Sequence, residues 1–125
     1  MMPILDLSQL ETMTSGDAEL AVEALGIFRQ SAEMWSRALD PQAEPRQWAD
    51  AAHGIKGAAR SVGLMALGDA CEVAEKLGRE GAVTPAQAGV AISAVKDRLG
   101  EALEAAAHVE HQLMMKRTFT GVRLD

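Results

Sequence analysis

The run TPAQAGVAISAVKDRLGEALEAAAHVEHQL, Thr84 to Leu113, reads as one long amphipathic helix. Thr84 reads as a helix N-cap and Pro85 as the first helical residue, where a missing N–H goes unnoticed. Apolar residues then recur at Ala88, Ile92, Val95, Leu99, Leu103, Ala106, Val109 and Leu113. Steps of three and four hold them on one stripe of an amphipathic helix across the whole stretch.

Upstream, the same spacing recurs between breaks. Asp6 can cap a short helix over Leu7–Met13, and Thr14-Ser15-Gly16-Asp17 interrupts it. From Asp17 a second stripe runs through Ala18, Ala21, Leu25, Phe28, Ala32, Trp35 and Leu39, and Asp40-Pro41 ends it. Glu44-Pro45 opens a helix whose stripe is Trp48, Ala52, Ile55, Ala59 and Val62, closed by Gly63. Another carries Leu67, Ala70, Cys71, Ala74 and Leu77 and ends near Gly78–Gly81. Four long amphipathic helices with short connections predict an all-α, antiparallel up-down four-helix bundle with a short extra N-terminal helix. The bundle is expected over residues 1–115. The locally basic tail, residues 116–125, leaves the helical pattern and is expected to be flexible.

Composition agrees. The chain has 125 residues, a single domain's worth, with 48% apolar and 24% charged residues, so a packed core is expected. Aromatics at 3% argue against a β-sandwich or barrel. A formal charge of −6 argues against binding nucleic acid through a basic surface. The lone cysteine, Cys71, fits a reducing cytoplasm. The start Met1-Met2-Pro3-Ile4-Leu5-Asp6 lacks the features of a leader, and no apolar run approaches a membrane span. The expectation is a cytoplasmic, monomeric protein without membrane contact.

The helix around residues 45–62 carries an anomaly. At about 100° per residue, its stripe centres near Ile55 and Ala59, which turns His53 to solvent. Lys56 and Gly57 follow one turn on, then Arg60, with Arg46 two turns back. An acidic protein thus gathers cations around one exposed imidazole. Gly54 and Gly57 each cost roughly 1 kcal/mol against alanine inside a helix. Such violations without a packing gain tend to mark functional surfaces. A glycine one turn from a histidine clears the approach of another molecule. An exposed imidazole is largely neutral and nucleophilic at cytoplasmic pH. Lys56, and more weakly Arg60, can neutralise charge on a transferring phosphoryl group. Taken singly, each of these residues reads as ordinary helix surface; the combination points to function.

The run His53-Gly54-Ile55-Lys56-Gly57-Ala58-Ala59-Arg60-Ser61-Val62-Gly63 resembles the H-x-x-K-G-x5-G signature of histidine-containing phosphotransfer (HPt) domains. Leu67, Cys71 and Glu75 continue the likeness as L-x3-C-x3-E, so the motifs span about residues 45–80. The resemblance implies that His53 accepts a phosphoryl group and exchanges it with aspartates of response-regulator receiver domains or with a histidine kinase. It implies that Lys56 lies near the phosphoryl oxygens and that Gly57 lets the receiver dock. Gly63 matches the glycine that ends the histidine helix. Glu75 stands where chemotaxis-type kinases often have a glutamate and stand-alone proteins often a glutamine. A carboxylate there can hold one imidazole nitrogen and free the other; the alternative is a solvated flank residue. Leu64 and Met65 are expected to add apolar contact with a receiver, and Gly54 to leave it room. No cofactor is expected on this chain, since the receiver brings its own aspartate and Mg²⁺. Two rival readings are an adaptor that blocks a receiver or kinase without accepting phosphate, and a detached phosphoacceptor domain of a chemotaxis-type kinase.

Other candidates weigh less. His108 and His111, near Glu104 and Glu110, lack the facing ligands a bundle metal site needs. Asp50, three residues before His53, could in principle tune it, but its direction is expected to lie past Gly57. Cys71 and both tryptophans read as core. No phosphate loop of the form G-x-x-x-x-G-K-[ST] occurs, so phosphorylation from ATP by this chain is not expected.

Overall fold

The computed structural model describes residues 3–125; Met1 and Met2, at the start of the stretch read for a leader, lie outside them. Five helices follow in order, α1 Leu7–Met13, α2 Ala18–Ser36, α3 Pro45–Arg60, α4 Met65–Arg79 and α5 Pro85–Lys116. The start signals act as read. Asp6 accepts from the Gln9 amide and Asp17 from the Leu20 amide, each at 3.1 Å. Thr84 and Gln87 cap one another reciprocally, at 3.1 and 3.0 Å, ahead of Pro85.

Helices α2 to α5 close a ring in which each packs on two neighbours, α2 on α3, α3 on α4, α4 on α5 and α5 on α2. Short connections make sequential helices antiparallel. The predicted stripes meet inside, and Trp48, Phe28, Leu25, Ile55, Ile92 and Leu113 are essentially inaccessible. No helix among the described residues is long and apolar enough to cross a membrane.

Two glycines set how closely the elements approach. Gly63 has φ +86°, and a Cβ there would stand 2.8 Å from the Asp6 carbonyl. The Asp6 amide donates to the Gly63 carbonyl at 2.9 Å, so α1 is tied to the end of α3. Gly78 on α4 faces the Pro45 carbonyl and the Trp48 ring, where a Cβ would be 2.8 Å from each. That closeness draws α4 against the start of α3.

Three expectations are corrected. Helix α2 stops at Ser36, not Leu39; Leu39 is still buried, but from the following turn. Trp35 is only half-buried, whereas Trp48 is core. The tail does not stand off the bundle: Arg117 adopts the left-handed conformation at φ 58°, reversing the chain. Gln112 then brackets Arg123 with hydrogen bonds of 2.5 and 2.9 Å, and Phe119, Val122 and Leu124 pack against the core. A left-handed cap on a non-glycine residue gave no sequence signal.

Candidate functional site

Helix α3 turns Trp48, Ile55 and Ala59 inward, so His53, on the opposite side, projects to solvent with 64% of its side chain exposed. The neighbouring face of α4 brings Glu75 to it. One carboxylate oxygen, Oε2, lies 2.9 Å from His53 Nδ1, and the other, Oε1, accepts from Lys56 Nζ at 2.6 Å. A carboxylate only accepts, so Nδ1 carries the donated hydrogen, and in the neutral ring Nε2 keeps its lone pair. Glu75 is therefore oriented on the histidine and is not a solvated flank residue.

Glu75 is 13% exposed and Lys56 19%. Burial pushes the Glu75 carboxyl up, but hydrogen bonding and charge from Lys56, then from His53, outweigh it and hold it below the usual carboxylate range. The carboxylate stays charged wherever the protein is folded near neutral pH. Lys56 is thus engaged with Glu75 in this structure, one turn from the imidazole.

The two helix glycines differ. Gly57 is exposed, and a Cβ placed there would meet nothing within 4 Å. It leaves open ground one turn from His53. Gly54 has an internal cause: a Cβ would fall within 3.0 Å of three atoms of the Trp35 indole. Its missing side chain makes room for α2 and not for a partner.

Arg60 turns from the histidine to α4, pairing with Asp69 at 3.1 Å and Glu72 at 3.4 Å. Gly68 admits its aliphatic stem, since a Cβ there would lie 2.8 Å from Arg60 Cγ. That arrangement removes it from the expected phosphoryl contacts. Leu64 is fully buried and offers no surface to a partner; Met65 beside it is half-buried. Arg46 is exposed, two turns before the histidine.

One residue of the site, Arg79, was missed. Arg79 reaches Glu75 Oε2 at 3.3 Å and Asp50 Oδ1 at 3.0 Å. Asp50, weighed from the sequence only as a neighbour of His53, enters the site through Arg79. The available signal was the spacing of Glu75 and Arg79, which places them one turn apart on α4.

Elsewhere, Cys71 is buried and its thiol is pushed up to about 12, chiefly by burial, so it is an inert packing group. His108 and His111 are exposed on α5, while Glu110 between them turns inward and takes Arg29 through two hydrogen bonds of 2.6 and 2.8 Å. That ion pair was also missed, although an acidic residue one turn after Ala106, on a buried stripe, calls for a cation.

Comparisons with known proteins agree with this geometry. The Hpt domain model matches residues 19–109. The crystal structure of the histidine phosphotransferase ShpA from Caulobacter crescentus superposes with a TM-score of 0.72 at 33% identity, covering 91% of this chain and 97% of that one. Among curated proteins no sequence matches. A bundle of this form, with an exposed histidine one turn before a lysine–glycine pair on its second long helix, together with that match over most of the chain, places the protein in the Hpt, histidine phosphotransfer, domain family.

Proposed function

We propose that His53 is the phosphoacceptor of a phosphorelay carrier, exchanging a phosphoryl group with receiver aspartates and with a histidine kinase. The observation that carries this reading is the Glu75 contact to Nδ1, which selects the tautomer with Nε2 free on an exposed ring. In the forward step Nε2 attacks the phosphorus of a receiver's aspartyl phosphate. The N–P bond forms as the acyl-phosphate P–O bond breaks, and the electron pair leaves with the aspartate carboxylate. The phosphoimidazolium so formed keeps its Nδ1 proton and its positive charge against Glu75. Passing the group on reverses these bonds.

Lys56, one turn along α3, is placed to turn from Glu75 towards phosphoryl oxygens, where a cation offsets charge in a loose transition state. Gly57 leaves the ground on which a receiver can seat. The chain then needs no cofactor of its own, because the receiver contributes its aspartate and Mg²⁺. It acts as a carrier without kinase activity, working as a cytoplasmic monomer. A complex that dissociates at every turnover is expected to be modest in area.

The test is transfer. Wild type and His53→Ala are mixed with radiolabelled phospho-receivers and autophosphorylated kinases from the protein's own source. Acid-labile, base-stable label on wild type alone supports the reading. Receiver binding without label supports the blocking adaptor instead, and label that persists on His53→Ala assigns the wrong histidine. Labelling only by a kinase core acting in trans favours the detached phosphoacceptor domain, a reading to which the carboxylate at position 75 lends weight.

A further inference from the structure

Glu75 is held from two sides. Lys56, three residues after His53, takes Oε1, while Oε2 is shared between His53 Nδ1 and Arg79. The two cations differ in how they are fixed. Among the described residues Lys56 has no anionic partner except Glu75. Arg79 has a second, since its Nη2 also reaches Asp50 Oδ1 at 3.0 Å, three residues before His53 on α3. Arg79 therefore bridges α3 and α4 across the flank opposite Lys56.

That asymmetry matters if Lys56 has another task. On the reading that His53 carries a phosphoryl group, Lys56 must leave Glu75 to meet the phosphoryl oxygens. A carboxylate only 13% exposed would then lose its shortest ion pair just when the imidazole needs it most. We propose that Arg79, braced by Asp50, is a positioning residue: the standing counter-cation that keeps Glu75 on His53 Nδ1 while Lys56 moves to the phosphoryl group. The hydrogen bond on Nδ1 fixes which ring nitrogen is free, so Arg79 acts on the nucleophile through Glu75 without touching it.

Lys56→Ala imitates the departure of Lys56, and its consequence can be read without any phosphate. The ring nitrogens of His53 in the ¹⁵N-labelled full chain report the tautomer directly by NMR at mildly alkaline pH. With Lys56→Ala alone, the Nδ1–H form is expected to persist, because Arg79 remains. Adding Arg79→Gln should move the ring to the Nε2–H form that free imidazole prefers in water. Arg79→Lys in its place should restore part of the Nδ1–H signal, and Asp50→Asn should lower it. Circular dichroism of each variant checks that the helices are unchanged. Loss of Nδ1–H in Lys56→Ala alone, or its retention in the Lys56→Ala/Arg79→Gln pair, overturns the proposal.

A second arm measures transfer. With Lys56 intact, Arg79→Gln should slow acceptance from a phospho-receiver about tenfold, the low end of what outer hydrogen-bond partners contribute for metal-bound histidines. A wild-type protein that takes no label overturns His53 as acceptor, while the ring signal still decides what holds Glu75.

Discussion

The Trp35 indole occupies the space in which a side chain on Gly54 would lie. A Cβ built on Gly54 falls within 3.0 Å of three indole atoms, whereas one built on Gly57 meets nothing within 4 Å. Two glycines three residues apart on α3 thus answer to different neighbours, one inside the protein and one outside it.

Gly54→Ala gains helix propensity of roughly 1 kcal/mol but overpacks against Trp35, which costs about 1–3 kcal/mol. Gly57→Ala gains the propensity alone. Urea unfolding is expected to show Gly54→Ala less stable than Gly57→Ala by about 2 kcal/mol. Adding Trp35→Leu should recover much of the Gly54→Ala loss. Equal stability of the two alanine variants would mean that Trp35 yields freely.

Gly57 also makes a kinetic prediction. Gly57→Gln places a long side chain on the open ground beside His53 without touching the core. Transfer from a phospho-receiver should fall by at least tenfold, while chemical phosphorylation of His53 by phosphoramidate proceeds at the wild-type rate. A loss by both routes would place the fault in the imidazole and not in docking.

Glu75→Ala should slow phosphorylation of His53 while leaving the helical content intact. The removed hydrogen bond orients the ring and meets the charge that forms on it, for which about 10²-fold is a fair scale. Glu75→Gln keeps an acceptor oxygen without the charge and is expected to fall between. An unchanged transfer rate in Glu75→Ala would remove the orienting role.

Acid should act through the same carboxyl. Its folded value lies below the ordinary one, chiefly through Lys56 and then His53 winning over burial. Its contribution to stability is therefore complete above the unfolded value, about 4.3, and is lost only as pH falls through the lower folded value. The difference in unfolding free energy between wild type and Glu75→Gln should not close between pH 7 and about 5 and should close below that. A gap that closes well above pH 5 would show that another group governs it.

Arg29 and Glu110 give a prediction away from the site. Glu110 is 7% exposed, and Arg29 supplies both of its hydrogen bonds. Arg29→Ala strands the carboxylate and should cost about 1–3 kcal/mol in urea unfolding. Replacing both, Arg29→Met with Glu110→Leu, should return most of it, since removing a buried pair together is often near neutral. A double variant as unstable as Arg29→Ala would point to packing and not charge.

The helices and the candidate nucleophile were legible before any packing was known. Periodicity and capping are local: Thr84, Pro85 and the stripe from Ala88 to Leu113 specify α5 without reference to anything beyond it, and the turn of α3 puts His53 outside once Ile55 and Ala59 go inside. The H-x-x-K-G run then gave that exposure a chemical meaning. Tertiary structure decided everything that depends on what stands across a gap. Leu64 sits one residue past the glycine that ends the histidine helix, where it looked available, but it is fully buried in the core and has no surface to offer. Arg60 is as cationic as Lys56, yet Asp69 and Glu72 draw it to another part of α4. Gly54 follows Trp35, Asp50 follows Arg79, and the tail follows Gln112. Each of these pairings joins residues from separate turns or separate helices, and spacing along one helix carries no information about the side chains that a neighbouring helix brings to meet it.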